Sequence, residues 1–465
     1  MTVALWMLAL YAAALIAVGL LVGRWVRASG DFFVAGRTLP AGLVFVTLLA
    51  ANIGAGSTVG ATGLGYSYGL SAWWWVGSAG IGSILFGLLV APKIHRLAAT
   101  HGYLTVGDFL EARYDRGVRG LVSLVLWFAS LAGLSGQLIA MAAVLQVAAG
   151  VPKLWGCLLG GLIMIAYYSS GGLRSAVWVN LLELVVVMTG FAVALPYAIG
   201  AAGGWTALEG SAAGRPEAMS LLGGPIFGWL IVLVPSFLIS PGLIQKTYGA
   251  ASAGAARRAV LWNAAALLLF AAIPPLLGLS IRAARPALAN PDLALPTLMT
   301  ELLPLWLGGL VLGAVFAAEI SSADAFLFML STSLSQDLYK TFVRPSASDA
   351  RLLQVSRRTS VVAGLLGVAA AILLPGVIAA LTLFYSILTV SLLVPLLAGL
   401  YTTGPRPIDA KAAILLSAAT FVIGHFVCRG TPAGAWLPVS LAILVSLSIF
   451  ARSWWRAGAR ARFKR

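Results

Sequence analysis

A polar cluster lies near the centre of an apolar segment that is long enough to cross a bilayer. The segment covers residues 305–337 and carries Glu319, Ser321, Ser322 and Asp324. A carboxylate in hydrocarbon costs at least ~2.5–3.5 kcal/mol unless a partner, a water-filled cavity or a bound ion offsets that cost. The cluster therefore predicts a path for an ion or a substrate.

A second polar segment interrupts the apolar run at residues 40–62. Three glycines lie within residues 54–60, with Ser57 and Thr58 among them, and together they weaken a helix in mid-span. Irregular backbone at membrane depth is tolerated only where it is buried in protein or lines a cavity. The alternative interpretation is close helix packing through small residues.

A third segment, at residues 223–245, contains Pro235 and Pro241 within one apolar run. Proline removes a backbone donor and clashes with the preceding turn, so this span is also predicted to be interrupted. The alternative is a simple proline kink. Two interrupted helices that stand five helices apart are typical of a transporter built from two inverted repeats, with its binding site between the breaks.

Composition predicts an all-α polytopic membrane protein, since 60% of the 465 residues are hydrophobic and 9% are charged. Because about 20 apolar residues span a bilayer, we expect about 13 transmembrane helices. They lie near residues 3–25, 40–62, 70–92, 119–148, 152–170, 175–199, 223–245, 258–281, 303–335, 356–374, 376–402, 410–428 and 436–452. We expect one transporter domain, 1–465, divided into an extra helix and loop (1–39), a first repeat (40–199), a second repeat (223–402) and C-terminal helices with a basic tail (403–465).

The basic residues indicate orientation. The net charge is +16, but most Lys and Arg stand in short loops beside helix ends, and an outside N-terminus places most of them in the cytoplasm. We therefore predict a multi-pass protein of the plasma (inner) membrane with a cytoplasmic C-terminus. The lipid bilayer is the expected partner of these charges, and no nucleic acid is expected. Cys157 and Cys428 are isolated and indicate no metal site.

Several motifs together resemble the sodium/solute symporter family, which includes the sodium-coupled glucose, proline and pantothenate transporters and has the leucine-transporter fold. The resemblance covers nearly the whole chain and depends on the order and spacing of the motifs. They are DFFVAGR (31–37), LTVGDFLEARY (104–114), YSSGGLRS (168–175), QK (245–246), STS (331–333) and DLYK (337–340). The resemblance implies an inverted five-helix repeat with one extra helix before it and two after it.

The resemblance also implies a sodium site between the first interrupted helix and the ninth helix. Its implied ligands are the carbonyl groups of Ala50, Ile53 and Ala318 and the hydroxyl groups of Ser321 and Ser322. The chemistry is consistent, because Na⁺ prefers oxygen ligands and an unwound helix frees carbonyls. From the residues alone, the alternative is that both serines bond back to carbonyls one turn earlier.

The acidic residues match the family pattern less closely. Asn180 stands where the family usually has an acid, and Glu183 stands where an amide is common; the resemblance assigns no role to Glu319 or Asp324. We hypothesise that Glu183 or Asp324 supplies the missing charge, with these four residues forming a second ion site or a proton relay. The alternative is that each carboxyl group is protonated or hydrogen-bonded within the bundle.

The solute pocket is expected between the two interruptions. Three consecutive tryptophans at residues 73–75 face different directions, so at most two can line a cavity. We find no Lys or Arg deep in a predicted span, so a carboxylate solute would depend on the partial positive charge of half-helix N-termini. An amino acid, a monocarboxylate, a sugar or a vitamin all remain compatible. The predicted lining residues are Ser57, Thr58, Trp74, Gln137, Ser236, Ser240 and Tyr385.

These features predict a secondary active transporter and not an enzyme. The expected activity is sodium-coupled symport of a small organic solute into the cell by alternating access, with Na⁺ as coupling ion and no organic cofactor. A proton-coupled symporter and a solute sensor that retains the symporter fold remain as alternatives. A channel is less consistent with interrupted inverted repeats. The sequence carries no signal for an oligomeric state.

Overall fold

The chain folds into helices joined by short connections, as predicted. The computed structural model describes residues 37–212 and 215–462, and in this part of the chain the extended pairing is a single bridge between Leu39 and Ala250. The predicted first span, 3–25, and the last three residues of the basic tail lie outside the described residues.

The described helices before residue 212 lie largely within residues 40–199, the predicted first repeat. A π-helical turn (Gly56–Gly60) precedes α2, and a second one (Phe86–Val90) joins α3 to α4. The helices are α1 (Ala41–Asn52), α2 (Ala61–Tyr68), α3 (Trp73–Leu85), α4 (Ala91–His101), α5 (Val106–Arg113), α6 (Arg116–Ala149), α7 (Lys153–Ala201) and α8 (Trp205–Ser211).

The described α-helices after residue 215 lie within residues 223–402, the predicted second repeat, and residues 403–465, the predicted C-terminal part. A π-helical segment (Ser333–Val343) extends α14. The helices are α9 (Ile226–Leu238), α10 (Pro241–Tyr248), α11 (Ala253–Phe270), α12 (Ile273–Ala284), α13 (Ala294–Glu301), α14 (Leu305–Thr332), α15 (Asp349–Leu373), α16 (Val377–Tyr401), α17 (Pro407–Val427) and α18 (Leu437–Arg462).

Ten helical segments among the described residues are long and apolar enough to cross a membrane. Two shorter apolar helices, Ala41–Asn52 and Lys153–Ile165, accompany them. The chain is therefore a multi-pass membrane protein. The number 13 stays a prediction, because the first predicted span is not among the described residues.

The first predicted interruption is present. α1 ends at Asn52, and Ile53 adopts an extended conformation with φ −97° and ψ 90° before helix resumes in the π-helical turn. The last carbonyls of a helix have no intrahelical donor. Ending α1 in mid-span therefore leaves carbonyl groups available inside the protein.

The second predicted interruption is also present, between α9 and α10. Ser240 is the N-cap of α10, and its hydroxyl accepts a hydrogen bond from the Leu243 N–H. Pro241 follows as the first helical residue, where proline fits because that position needs no donor. Pro241 thus begins a second half-helix, whereas Pro235 lies within α9.

The structure departs from the sequence prediction at the boundary between the fifth and sixth predicted spans. We predicted two spans, 152–170 and 175–199, whereas α7 is one continuous helix from Lys153 to Ala201. The intervening residues include two glycines, which disfavour a helix by about 1 kcal/mol each but retain their N–H donors. Without a proline there, nothing in the local sequence forces the helix to end.

Helix α14 lies at the centre of the bundle. It packs against α6, α7, α15 and α1, and most of its residues are buried. The polar cluster read from the sequence therefore faces other helices and not lipid, and it meets α1 at the interruption.

Candidate ion and solute site

Three backbone carbonyls at the end of α1 converge on one hydroxyl of α14. The Oγ of Ser322 lies 3.3 Å from the Ala50 oxygen, 3.5 Å from the Ala51 oxygen and 3.3 Å from the Ile53 oxygen. A hydroxyl has one hydrogen to donate, and a well-formed O–H···O bond is about 2.7–2.8 Å long. The cluster therefore has more oxygen acceptors than donors, which is the arrangement a hard cation requires.

Glycine at position 54 allows this close approach. A Cβ built on Gly54 would lie 2.1 Å from the Ser322 Oγ and 2.8 Å from the Gln137 Oε1. Any side chain here would push the interruption away from α14. The glycine noted in the sequence thus serves a specific contact as well as weakening the helix.

Side chains nearby satisfy the other freed backbone groups of the interruption. The Oγ of Ser57 donates to the Asn52 oxygen at 2.9 Å and accepts from the Gly54 N–H at 3.1 Å. The Oε1 of Gln137 accepts from the Ala55 N–H at 2.9 Å. These bonds hold the extended segment in place without a regular helix.

A small cavity adjoins the carbonyl cluster. It has a volume of about 10 Å³, which suits one water or one ion, and its lining includes Ala50, Ile53, Ala318 and Ser321. The Oγ of Ser321 donates to the Asn180 Oδ1 at 2.8 Å. Since that bond uses the hydroxyl hydrogen, the lone pairs of Ser321 remain available to a cation. Four of the five predicted sodium ligands line this cavity, and the fifth, Ser322, contacts the carbonyl oxygens of Ala50 and Ile53.

The four polar residues assigned to a second site fall in separate places. Glu183 lines the same small cavity, and Asn180 contacts it through Ser321. Glu319 is fully buried on another side, where its Oε1 accepts from the Thr58 hydroxyl at 2.8 Å. Asp324 interacts electrostatically with Glu183. Of the four, only Glu183 therefore lines the small cavity, and Asn180 reaches it through Ser321.

A buried lysine near this cluster was missed by the sequence reasoning. Lys246 lies on α10 with 6% exposure, and its Nζ donates to the Thr47 oxygen of α1 at 2.6 Å. It also interacts electrostatically with Asp324. Lys246 lies just beyond the predicted span end at 245, so the expectation of no Lys or Arg deep in a predicted span did not cover it. The QK motif at residues 245–246 was the sequence feature that pointed to Lys246.

A central cavity of about 40 Å³ lies between the two interruptions. Of the predicted solute ligands, Ser57, Gln137 and Tyr385 line it. Gly54 and Ser322 also line it, so the carbonyl cluster and the central cavity share a wall.

The other four predicted solute ligands do not line the central cavity. Thr58 bonds Glu319, and Ser240 caps α10. Ser236 is 2.7 Å from the Thr389 hydroxyl and donates to a carbonyl of α16. These hydroxyls are used within the bundle.

Trp75, and not Trp74, faces the central cavity. Its Nε1 donates to the Gly56 oxygen at 2.9 Å, whereas the Trp74 Nε1 donates to the Leu221 oxygen at 2.8 Å. Successive helical residues are rotated by about 100°, so the two rings diverge. The sequence limited how many of the three tryptophans can line the cavity, but it did not indicate which of them does.

Comparisons with known proteins identify the family to which the chain belongs. The pattern of the sodium:solute symporter family matches residues 32–404. The sodium/glucose cotransporter of Vibrio parahaemolyticus is 28% identical over 411 residues, covering 79% of this chain and 74% of that protein. The sodium/pantothenate symporter of Escherichia coli (strain K12) is 28% identical over 411 residues, covering 84% of each.

A solved structure shares the fold. It is a substrate-bound, outward-open Na⁺-coupled sialic acid symporter, with a TM-score of 0.79 and 19% identity over 98% of each chain. Similarity at this level of identity shows the fold alone. The leucine-transporter fold predicted from the sequence is thereby confirmed.

Replacing Gly54 by alanine tests the close approach of the interruption to α14. We expect Gly54→Ala to lower the free energy of unfolding by about 1–3 kcal/mol, as overpacking does in a filled core. Gly42→Ala on α1 is the matched control, since a Cβ there meets nothing within 4 Å. Thermal unfolding of purified protein measures both. Equal midpoints for the two variants would contradict the packing described.

Proposed function

Because the chain belongs to the sodium:solute symporter family and is therefore a sodium-coupled symporter, we propose that its sodium ion binds between the interruption of α1 and helix α14. The proposed ligands are the carbonyls of Ala50, Ile53 and Ala318 and the hydroxyls of Ser321 and Ser322. The observation that carries this proposal is the convergence of three carbonyls on the Ser322 Oγ. The sodium-coupled relatives do not favour the proton-coupled and sensor alternatives.

Asn180 is proposed to position a ligand. By accepting the Ser321 hydrogen at 2.8 Å, its amide oxygen orients the lone pairs of Ser321 away from α7. A neutral acceptor does this without adding charge. Asn180 therefore supports the ion site through Ser321.

Sodium binding is proposed to shape the solute site. The ion would attract the end of α1 to α14, and both elements line the central cavity through Gly54 and Ser322. A ligand shifts a conformational equilibrium only by its differential affinity for the two states. Sodium would supply that difference here, because its ligands come from two elements that separate when the site opens.

The membrane potential is the proposed source of direction. The potential contributes ~2.3 kcal/mol per charge per 100 mV, and a sodium gradient adds to it. With the N-terminus outside and the C-terminus in the cytoplasm of an inner membrane, both forces drive uptake. Transport would use Na⁺ as coupling ion and no organic cofactor.

The solute is proposed to be a small neutral molecule with hydrogen-bonding groups and an apolar face. The central cavity presents the rings of Trp75, Phe237 and Tyr385 beside Ser57 and Gln137. None of the described residues that line it carries a formal charge. A volume of about 40 Å³ is well below the 300–1,000 Å³ of a typical ligand pocket, so admission of a solute requires the surrounding helices to separate.

Removing either hydroxyl ligand tests the sodium site. We expect Ser321→Ala and Ser322→Ala each to raise the sodium concentration for half-maximal uptake at least about tenfold, equivalent to ~1.4 kcal/mol. Ser360→Ala is the control, since Ser360 is buried on α15 and donates only to the Ser356 carbonyl. Solute uptake into vesicles is measured against sodium concentration. An unchanged sodium requirement in both site variants would disprove the assignment.

Neutralising the nearby acids tests whether they supply charge to the ion. We expect Glu183→Gln and Asp324→Asn to weaken sodium dependence, and Glu183→Gln more strongly because Glu183 lines the small cavity. A carboxylate several ångströms from a cation contributes ~2 kcal/mol at an effective dielectric constant of about 20. Glu301→Gln, at an exposed pair with Arg285, is the control. Sodium dependence unchanged in both acid variants rules the hypothesis out.

Two neighbouring tryptophans, one lining the central cavity and one outside it, provide a matched test of the solute site. We expect Trp75→Ala to raise the KM for the solute several-fold with a smaller effect on sodium dependence, because its ring lines the central cavity. Trp74→Ala removes the same volume from outside the cavity and serves as the control. Initial uptake rates at saturating sodium measure both. A larger KM effect for Trp74→Ala would place the solute elsewhere.

A further inference from the structure

Three cavities follow one another from the centre of the protein towards the ends of α5 and α6. The first is the central cavity. A second cavity of about 20 Å³ is lined in part by Gln245, Ser333 and Asp337. A third of about 510 Å³ is lined in part by Arg119 and Lys340. The third opens on the side that carries the basic loops, hereafter the basic side, which the charge distribution predicts to be cytoplasmic.

Two aromatic rings separate the first two cavities. Phe326 lines the central cavity and Phe384 lines the second, and their ring centroids are 5.0 Å apart in an edge-to-face arrangement. Contacts between such rings contribute about 0.5–1.5 kcal/mol beyond area burial. These two rings would have to move apart for the two cavities to join.

The second cavity carries a polar group without a partner. Gln245 is 5% exposed, and its buried Oε1 accepts no hydrogen bond. An unsatisfied buried acceptor costs about 1–3 kcal/mol. A passing molecule with a hydroxyl or N–H donor would satisfy this oxygen, which suits the second cavity to transit of a polar solute.

An ion pair forms the wall between the second and third cavities. The Nη2 and Nε of Arg119 contact the Asp337 Oδ1 at 2.7 and 3.0 Å, and the Thr105 hydroxyl donates to the same oxygen at 2.6 Å. Asp337 lines the second cavity and Arg119 lines the third. Both side chains are at most 10% exposed. Parting this pair joins the two cavities.

Arg119 retains other partners when Asp337 moves away. Its Nη1 contacts the Glu111 Oε2 at 2.8 Å, and its Nη2 contacts the Asp108 Oδ1 at 2.8 Å, both carboxylates being on α5. Burial acts to raise the pKa of Glu111, but hydrogen bonds from Arg119 and Arg116 outweigh it and hold that pKa below its usual range. The guanidinium therefore stays compensated, which avoids the large cost of a stripped buried charge.

Asp337 is the member of the pair that can leave. It lies on the segment that extends α14, and separation from α5 and α6 would expose its carboxylate to the water of the third cavity. Gly107 fits the pair closely, since a Cβ there would lie 2.6 Å from the Asp337 Oδ1. Both the charge and the close packing therefore keep the wall shut.

We propose that the Arg119–Asp337 ion pair is the gate on the basic side, and that solute leaves the central cavity through the second cavity past Gln245 when this pair parts. The proposal rests on the proposed function, because it takes the central cavity as the solute site and the basic side as the side of release. Arg119 and Asp337 act on the path and not on the solute itself.

Thiol labelling of the second cavity tests the gate. Ser333 is changed to cysteine in full-length protein whose Cys157 and Cys428 are replaced by serine, and a membrane-impermeant maleimide is added to vesicles with the basic side outward. We expect Asp337→Asn to raise the labelling rate at least about tenfold, because the ion pair is lost. Arg116→Gln is the matched control, since Arg116 also pairs with Glu111 but is 71% exposed. Its labelling rate should equal that of the parent.

A second variant keeps the test decisive if Asp337→Asn does not fold. Gly107→Ala should also raise the labelling rate, since it displaces Asp337 without removing a charge. A rate equal to that of the parent in either folded variant overturns the proposal, as does faster labelling only from the opposite side of the membrane. Labelling is measured without sodium or solute, so a labelling result that contradicts the gate does not contradict the proposed sodium site. Conversely, an unchanged sodium requirement in Ser322→Ala would contradict the sodium site without changing what the labelling rates say about the gate.

Discussion

The contact between the end of α1 and Ser322 is the interaction on which the rest of the arrangement depends. A helix that ends in mid-membrane exposes carbonyls that lipid cannot satisfy, so they must meet other groups inside the protein. Here they meet one hydroxyl at 3.3–3.5 Å, which cannot satisfy all of them. Gly54 makes the approach sterically possible, and the adjoining cavity has room for one ion.

Helix α14 connects this contact to the other functional features. Ser322 belongs at once to the carbonyl cluster and to the wall of the central cavity. Asp337 lies on the continuation of the same helix, roughly 20 Å away at ~1.5 Å per residue. A displacement of α14 relative to α1 would therefore change the shape of the central cavity and the position of Asp337 relative to Arg119. The helix is well suited to couple ion occupancy to access on the basic side.

Part of the fold and of the candidate site could be predicted from residues that are close in the sequence. Glycines and prolines in mid-span predicted both interruptions, and the spacing of Ser321 and Ser322 after Ala318 predicted a shared face, because each depends on residues close in sequence. The choice of Trp75 over Trp74 and the burial of Lys246 depend on how distant helices pack, which no local pattern encodes. The boundary expected within α7 failed because glycine weakens a helix without ending it.

Binding of radioactive sodium to the purified protein, in the absence of solute, tests the central claim most directly. Saturable binding by the wild-type protein that is abolished or weakened at least about tenfold in Ser322→Ala, and unchanged in Ser360→Ala, is the expected result. Saturable binding that persists unchanged in Ser322→Ala would contradict the proposed site, since the ion would then occupy a position independent of the contact between α1 and α14.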